Sequence, residues 1–183
     1  MQLLFLMTTV DGLIDQPKKY HQKIYSPPTT FITDTNAITS DPISFMATEL
    51  QVPKSELVES SSYEDKIKHI YYSHVVDGRT VENHSANIQL TKSKNVIAYS
   101  YNFQGKQNVT SCLKFQNGLV SELESQLGMR LVGDTKESYV DTGKGLVPTL
   151  SFKLEKGNDQ VHVAVDQCTG ETVQLLNLVQ SFD

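Results

Sequence analysis

Apolar and polar residues alternate through the middle of the chain, over residues 62–103. Alternation places successive side chains on opposite faces of a strand, so it predicts strands with one buried face. The pattern is interrupted at Asp77-Gly78 and again at residues 92–94. Asp-Gly between two alternating runs is a strong signal for a hairpin turn. The segment therefore predicts three neighbouring antiparallel strands, at residues 69–76, 79–90 and 95–103.

Helical spacing of apolar residues occurs on either side of these strands. Asp41 and Pro42 suit the start of a helix, because Asp caps free backbone N–H groups and Pro favours the first helical position. Pro53 ends that pattern, since its ring cannot continue a helix. A second helix is predicted over residues 118–127, where Gly128 suits a left-handed cap. The apolar faces of the two helices comprise Ile43, Met46, Ala47 and Leu50, and Leu119, Val120, Leu123 and Leu127.

The order of elements is the same in both parts of the chain: a helix is followed by antiparallel strands. Further strands are predicted at residues 146–154, 161–165 and 171–179, with a short one at 29–33, whereas residues 132–140 are ambiguous. Helices on one face of antiparallel strands make an α+β fold. The expected architecture is α+β, with two cystatin-like halves, each a helix packed on a curved antiparallel sheet. The expected divisions are an N-terminal extension (1–40) and two subdomains (41–105 and 106–183).

Composition and charge narrow the function classes. The 183 residues carry a net charge of −5 without a basic block, which argues against nucleic-acid binding because that requires clustered cations. No apolar run approaches the ~20 residues that span a bilayer, so no membrane association is expected. Residues 1–10 are apolar but lack a positive flank and a cleavage site. They are either the remnant of a secretion signal or an apolar start that packs on the domain.

Catalytic and metal-binding patterns are absent from the sequence. The chain contains no HExxH and no Gly-x-Ser-x-Gly. His69 and His74 are five residues apart on a predicted strand, so they point to opposite faces. His69 is expected to pack or hydrogen-bond beside tyrosines. The sequence therefore predicts a protein that is not an enzyme, without catalytic residues, metal or cofactor.

Several motifs resemble one protein family. The first half contains His69-Ile70-Tyr71-Tyr72 and Val75-Val76-Asp77-Gly78, and the second half contains Val161 to Asp166 followed by Thr169-Gly170-Glu171. In order and spacing these resemble the propeptide of fungalysin- and thermolysin-type metalloproteases, with its fungalysin/thermolysin propeptide domain and a PepSY-like region. The protease domain of such precursors is not represented in this sequence.

The resemblance implies a propeptide-type module that inhibits a secreted, fungalysin-like zinc metalloprotease and assists its folding, as part of a precursor or as a separate chain. The implied partner is the catalytic domain, and the free chain is expected to be a secreted monomer. The alternative is a secreted cystatin-like binding or effector module without a protease partner. The segment expected to contact the protease comprises Gln174, Leu175, Leu176, Asn177, Leu178, Val179, Gln180, Ser181, Phe182 and Asp183.

Two cysteines and two sequons bear on the compartment. In a cytosolic protein Cys112 and Cys168 would be free thiols, whereas in a secreted protein their even number favours a disulfide. Asn83 and Asn108 each begin an Asn-x-Ser/Thr sequon and are candidate glycosylation sites. Asn108 lies in a polar connection that suits a glycan, and Asn83 lies at the start of a predicted strand.

Overall fold

The structure is a computed structural model that describes residues 25–33, 35–112 and 118–177. Its helices are α1 (Pro42–Leu50) and α2 (Leu119–Leu127). The strands are β1 (Thr30–Thr33), β2 (Leu57–Glu64), β3 (Lys68–Val76), β4 (Arg79–Leu90), β5 (Val96–Tyr101), β6 (Arg130–Asp141), β7 (Leu146–Lys156), β8 (Asp159–Asp166) and β9 (Thr172–Asn177). A short 3₁₀ turn, Lys54–Glu56, connects α1 to β2.

All nine of these strands belong to one sheet. On the N-terminal side, β4 pairs antiparallel with both β3 and β5, β2 pairs with β3, and β1 pairs with β5. On the C-terminal side, β6, β7, β8 and β9 form an antiparallel series. The two sides are joined where β4 pairs in parallel with β6, at Val81 and Tyr139. The sheet is therefore mixed.

The predicted architecture of two cystatin-like halves is wrong. The described residues form one large mixed sheet with two nine-residue helices. The twelve-residue strand β4 contributes to both sides, because its first residues reach β6 and its last residues pair with β5. Contacts between residues so far apart in the chain leave no mark on local periodicity, so the sequence pattern could not reveal that the strands form a single sheet.

The hairpin at Asp77-Gly78 is confirmed. Both residues have positive φ, 49° and 78°, which is the conformation that the tightest hairpin turns require. Val76 pairs with Arg79 across the turn. A register shift between Ser73 and Val75 then moves the rest of β3 relative to β4, and this bulge positions the site described below.

Both predicted helices are confirmed. The side chain of Asp41 accepts a hydrogen bond from the N–H of Ser44 at the start of α1. Gln51, with φ of 56°, ends α1 before Pro53. Helix α2 lies between Gly118 and Gly128, which both have positive φ, a conformation that glycine adopts without steric strain.

Each helix packs against its own group of apolar side chains. The first cluster lies around α1 and consists of Met46, Ala47, Leu50, Val52, Leu57, Ile70, Tyr72, Ala86, Ile88, Leu90, Val96, Tyr99 and Phe103. The second cluster lies around α2 and consists of Leu119, Leu123, Leu127, Met129, Phe152, Leu154, Val161, Val163 and Val165. The predicted boundary between residues 105 and 106 falls between these clusters, and it stays a prediction.

The apolar start, residues 1–10, lies outside the described residues, and so does most of the predicted extension. Neither described helix has the length and apolarity that crossing a bilayer requires.

Candidate functional site

Four titratable side chains form a continuous chain of contacts at the junction of the two sides of the sheet. Nε2 of His74 lies 3.2 Å from Oε2 of Glu56, at the end of the 3₁₀ turn. Nδ1 of His74, on β3, lies 2.9 Å from Nδ1 of His84, on β4. Nε2 of His84 lies 3.1 Å from Oδ2 of Asp141, the last residue of β6. We call Glu56, His74, His84 and Asp141 the histidine relay.

The two imidazole rings of the relay are buried. His74 is 0% exposed and His84 is 4% exposed. Phe103 stacks against both rings, with ring centroids 4.4 Å from that of His74 and 4.8 Å from that of His84. The aromatic ring therefore shields the central Nδ1–Nδ1 contact from water, and low local polarity strengthens the hydrogen bonds of such a network.

Burial lowers the pKa of His74, and the hydrogen bond and charge of Glu56 oppose that shift. Burial also lowers the pKa of His84; the neighbouring His74 adds to this shift, whereas Asp141 opposes it. Removing a cation from water disfavours its charged form, while a nearby carboxylate favours it. The environment therefore resists the accumulation of two positive charges on the pair.

Asn83 strengthens the same junction through the backbone. Its Oδ1 accepts a hydrogen bond from the N–H of Asp141 at 2.9 Å, and its Nδ2 donates to the carbonyl of Asp141 at 2.8 Å. Nδ2 also lies 3.2 Å from the carbonyl of Tyr25. Two consecutive residues of β4 thus hold Asp141 by its backbone and its side chain.

The sequence analysis did not identify this relay, and the reason is the bulge in β3. Without a register shift, the pairing of Val76 with Arg79 would place His74 opposite Val81. The shift between Ser73 and Val75 instead pairs Ser73 with Ser85, which brings His74 level with His84. Two histidines on either side of a hairpin turn were the available signal, but their spacing does not fit an ideal register.

His69 packs beside a tyrosine, as the sequence predicts. Its ring stacks on Tyr63, with centroids 4.4 Å apart, and its Nε2 lies 3.7 Å from Oδ1 of Asp65. It points away from His74, as the alternation of a strand requires.

A second histidine–carboxylate contact involves Glu82, which lies two residues before His84 on β4. Nε2 of His162 is 3.6 Å from Oε2 of Glu82, and both side chains are partly exposed. Burial raises the pKa of Glu82, but the nearby ring of His162, together with Lys136 and Ser138, makes the net shift downward. Among the described residues, no group of three or more histidine, cysteine or acidic side chains is placed to hold a metal ion.

The segment expected to contact a protease begins in β9. Residues 174–177 belong to that strand, where Ala164 pairs with Gln174 and His162 with Leu176. Gln174 is buried, whereas Leu176 is 43% exposed. Residues 178–183, the rest of the expected segment, lie outside the described residues.

Strand β2 is an exposed edge strand. It pairs with β3, and no other described strand pairs with it. Only Leu57 of its eight residues is buried. The side chains of Val58 and Tyr63 are 49% and 53% exposed. An exposed edge offers unpaired backbone groups and accessible side chains to a partner strand.

Cys112 and Cys168 form a disulfide in the structure, with their Cα atoms 5.5 Å apart. The bond ties the chain after β5 to the turn between β8 and β9, over a sequence separation of 56 residues.

The two sequons differ in accessibility. Asn108 is exposed, which attachment of a glycan requires. The amide of Asn83 is held against Asp141 by two hydrogen bonds. A glycan on its Nδ2 would replace one of the two N–H donors and so remove the hydrogen bond to the carbonyl of Tyr25 or of Asp141.

A scan against protein-family models finds no match, and a search of curated proteins finds no similar sequence. A search of solved structures finds the C-terminal domain of YpeB from Bacillus megaterium, which is 13% identical to this chain. The match covers 81% of this chain and 69% of that chain, with a TM-score of 0.44. The resemblance to metalloprotease propeptides therefore remains an interpretation of the sequence motifs.

Proposed function

We propose that the chain is a non-catalytic binding module that recognises its partner at the outer edge of β2. The observation that carries the proposal is an eight-residue strand that pairs on one side with β3 and exposes seven of its residues. A partner strand added there would form main-chain hydrogen bonds, and contacts with Val58 and Tyr63 would supply specificity.

The proposed partner is the catalytic domain of a fungalysin-like zinc metalloprotease. The resemblance of His69 to Gly78 and of Val161 to Glu171 to metalloprotease propeptides supports this choice. In that role the module blocks substrate access and assists folding of the protease, and residues 174–183 supply a second contact. The disulfide between Cys112 and Cys168 supports secretion, because disulfides persist in oxidising compartments.

The test is an inhibition assay with purified fungalysin-type and thermolysin-type catalytic domains. The unmodified chain should inhibit at least one of them at nanomolar concentration. Val58→Asp places a charge on the proposed contact surface, and we expect it to weaken inhibition about tenfold, or about 1.4 kcal/mol. Leu176→Asp tests the contribution of the C-terminal segment in the same assay.

Ile97→Asp is the matched control. Ile97 is 36% exposed on β5, so this variant introduces the same charge at a similarly accessible apolar position away from β2. This variant should inhibit the protease as strongly as the unmodified chain does. Equal losses in Val58→Asp and Ile97→Asp would reject recognition at β2.

The second candidate is a binding module without a protease partner. The lack of a matching family model favours it, because a propeptide close to known families would be expected to match one. The same assay separates the two candidates: no inhibition of either protease class at high micromolar concentration supports the second.

A further inference from the structure

We infer that the histidine relay is a pH-sensitive lock that holds the two sides of the sheet together near neutral pH through a single shared extra proton. The inference rests on the three contacts at 3.2, 2.9 and 3.1 Å that join Glu56, His74, His84 and Asp141. The relay links the 3₁₀ turn after α1 to the end of β6, so its opening would loosen the junction of β4 with β6.

The relay is sensitive to pH because its hydrogen bonds need a fixed number of protons. Each of the three hydrogen bonds needs one proton, so the complete relay holds three. Two ionised carboxylates and two neutral imidazoles hold only two, because a neutral imidazole has one N–H and an ionised carboxylate has none. The complete relay therefore consists of one charged and one neutral imidazole, or an equivalent distribution of the third proton.

A change of one proton in either direction breaks a bond. A fourth proton places two N–H groups face to face at the Nδ1 atoms of His74 and His84, which are 2.9 Å apart. Loss of the third proton leaves either two lone pairs facing each other at that contact or a bare Nε2 facing a carboxylate. Only the intermediate state satisfies all three contacts.

The surroundings of the rings favour this intermediate state. Phe103 covers both rings with an uncharged face. The charged groups that act on the rings are Glu56 for His74 and Asp141 for His84, together with the partner ring. On the far side of Asp141 lies an open cleft of about 440 Å³ that Lys106 and Lys144 also line.

The lock predicts a maximum of stability near neutral pH. An unfolded histidine titrates near pH 6.5, so below that pH the two unfolded rings hold four ring protons and above it they hold two. Folding to a three-proton relay therefore releases one proton at lower pH and takes up one at higher pH. By linkage, the equilibrium constant for unfolding rises about tenfold per pH unit on either side of about pH 6.5.

The losses of stability below and above this maximum have different physical causes. On the acid side, a second charged ring would place two N–H groups face to face at the 2.9 Å Nδ1–Nδ1 contact, and burial opposes that second charge, so stability is lost as the pH falls below the unfolded value. On the alkaline side, burial alone would release the third proton, but the three contacts outweigh burial in the ring that carries it, because loss of this proton breaks one of their hydrogen bonds. Stability falls there until the relay itself releases that proton.

Nitrogen-15 NMR of the unmodified chain tests the lock directly. At pH 7, three of the four ring nitrogens of His74 and His84 should be protonated, including both Nε2 atoms. Two protonated nitrogens in total, or an unprotonated Nε2 in either ring, would overturn the proposal. This measurement needs no variant, so a folding defect cannot obscure it.

Urea unfolding between pH 5.5 and 8.5 provides the second test. The unmodified chain should be most stable near pH 6.5. His84→Gln keeps an N–H for Asp141 but cannot take up a proton, so the stability of this variant should not fall above pH 6.5. His162→Gln, at the partly exposed contact with Glu82, should lose stability on both sides of pH 6.5, as the unmodified chain does. A profile of the unmodified chain that rises steadily from pH 5.5 to 8.5 would contradict a shared proton.

Discussion

The two helices are equally long but begin in different ways. Asp41 caps α1: its carboxylate accepts hydrogen bonds from the backbone and hydroxyl of Ser44, and it contacts Nζ of Lys54 at 2.8 Å. Gly118 precedes α2, and no described side chain caps the start of that helix. The chain leading toward α2 is instead tied to the turn after β8 through Cys112 and Cys168.

The two helices are therefore held against the same sheet by different kinds of restraint. Around the first cluster the restraints are hydrogen bonds and ion pairs, which depend on protonation. Around the second cluster, polar contacts such as the hydrogen bond from the N–H of Leu131 to Glu124 are joined by a covalent restraint that depends on the redox state of the compartment. The first side of the sheet should therefore respond to pH, and the second to reduction.

The largest expected effects come from the centres of the two clusters. Phe152→Ala should lower the free energy of unfolding by about 3–5 kcal/mol and Leu50→Ala by about 2–5 kcal/mol, because each removes a fully buried apolar side chain and leaves a cavity. Since β4 pairs with strands on both sides, each variant should shift a single urea transition. Two separate transitions would show that the clusters unfold independently.

Removing the disulfide should have the next largest effect. Cys112→Ser combined with Cys168→Ser should lower the free energy of unfolding by about 4 kcal/mol, since the bond closes a long loop in the unfolded chain. Hydrogen exchange should accelerate most in α2 and β9 and least in α1. Equal acceleration in α1 would contradict the separate roles of the covalent and polar restraints.

A polar contact at the edge of the first cluster should have a smaller effect. The hydroxyl of Tyr99 donates to Oε2 of Glu49 at 2.6 Å, and burial, followed by that hydrogen bond, raises the pKa of Tyr99 to about 12. Tyr99→Phe should lower the free energy of unfolding by about 1–2 kcal/mol. An unchanged urea midpoint would show that the contact does not stabilise α1.

The smallest effect is expected at the cap of α1. Hydrogen bonds from Lys54 and Ser44 lower the pKa of Asp41 from 3.8 to about 2. A depressed carboxyl pKa means that its contribution is full above about pH 4 and is lost as the pH falls through about 2. Asp41→Ala should therefore reduce the pH dependence of stability between pH 4 and 2. The same dependence in Asp41→Ala and the unmodified chain would contradict this.

Local signals in the sequence predicted the local structure. The turn at Asp77-Gly78, the cap at Asp41 and the glycines around α2 each require particular residues at particular positions, so the sequence shows them directly. The hairpin and both helices were therefore found close to their observed bounds.

Longer-range features were missed for identifiable physical reasons. Strand β2 has one buried residue among eight, and β6 has exposed residues followed by four consecutive buried ones. Neither strand has the alternation that predicts a half-buried strand. The parallel pairing of Val81 with Tyr139 and the contact of His84 with Asp141 join distant residues, and the bulge in β3 moved His74 from its ideal partner.

Hydrogen–deuterium exchange on the complex with a fungalysin-type catalytic domain tests the proposed function most directly. If the partner adds a strand to the outer edge of β2, backbone amides within Leu57–Glu64 should exchange more slowly in the complex than in the free chain. The amides of β5 serve as the internal reference and should not change. Formation of a complex without slower exchange in β2 would contradict recognition at this edge.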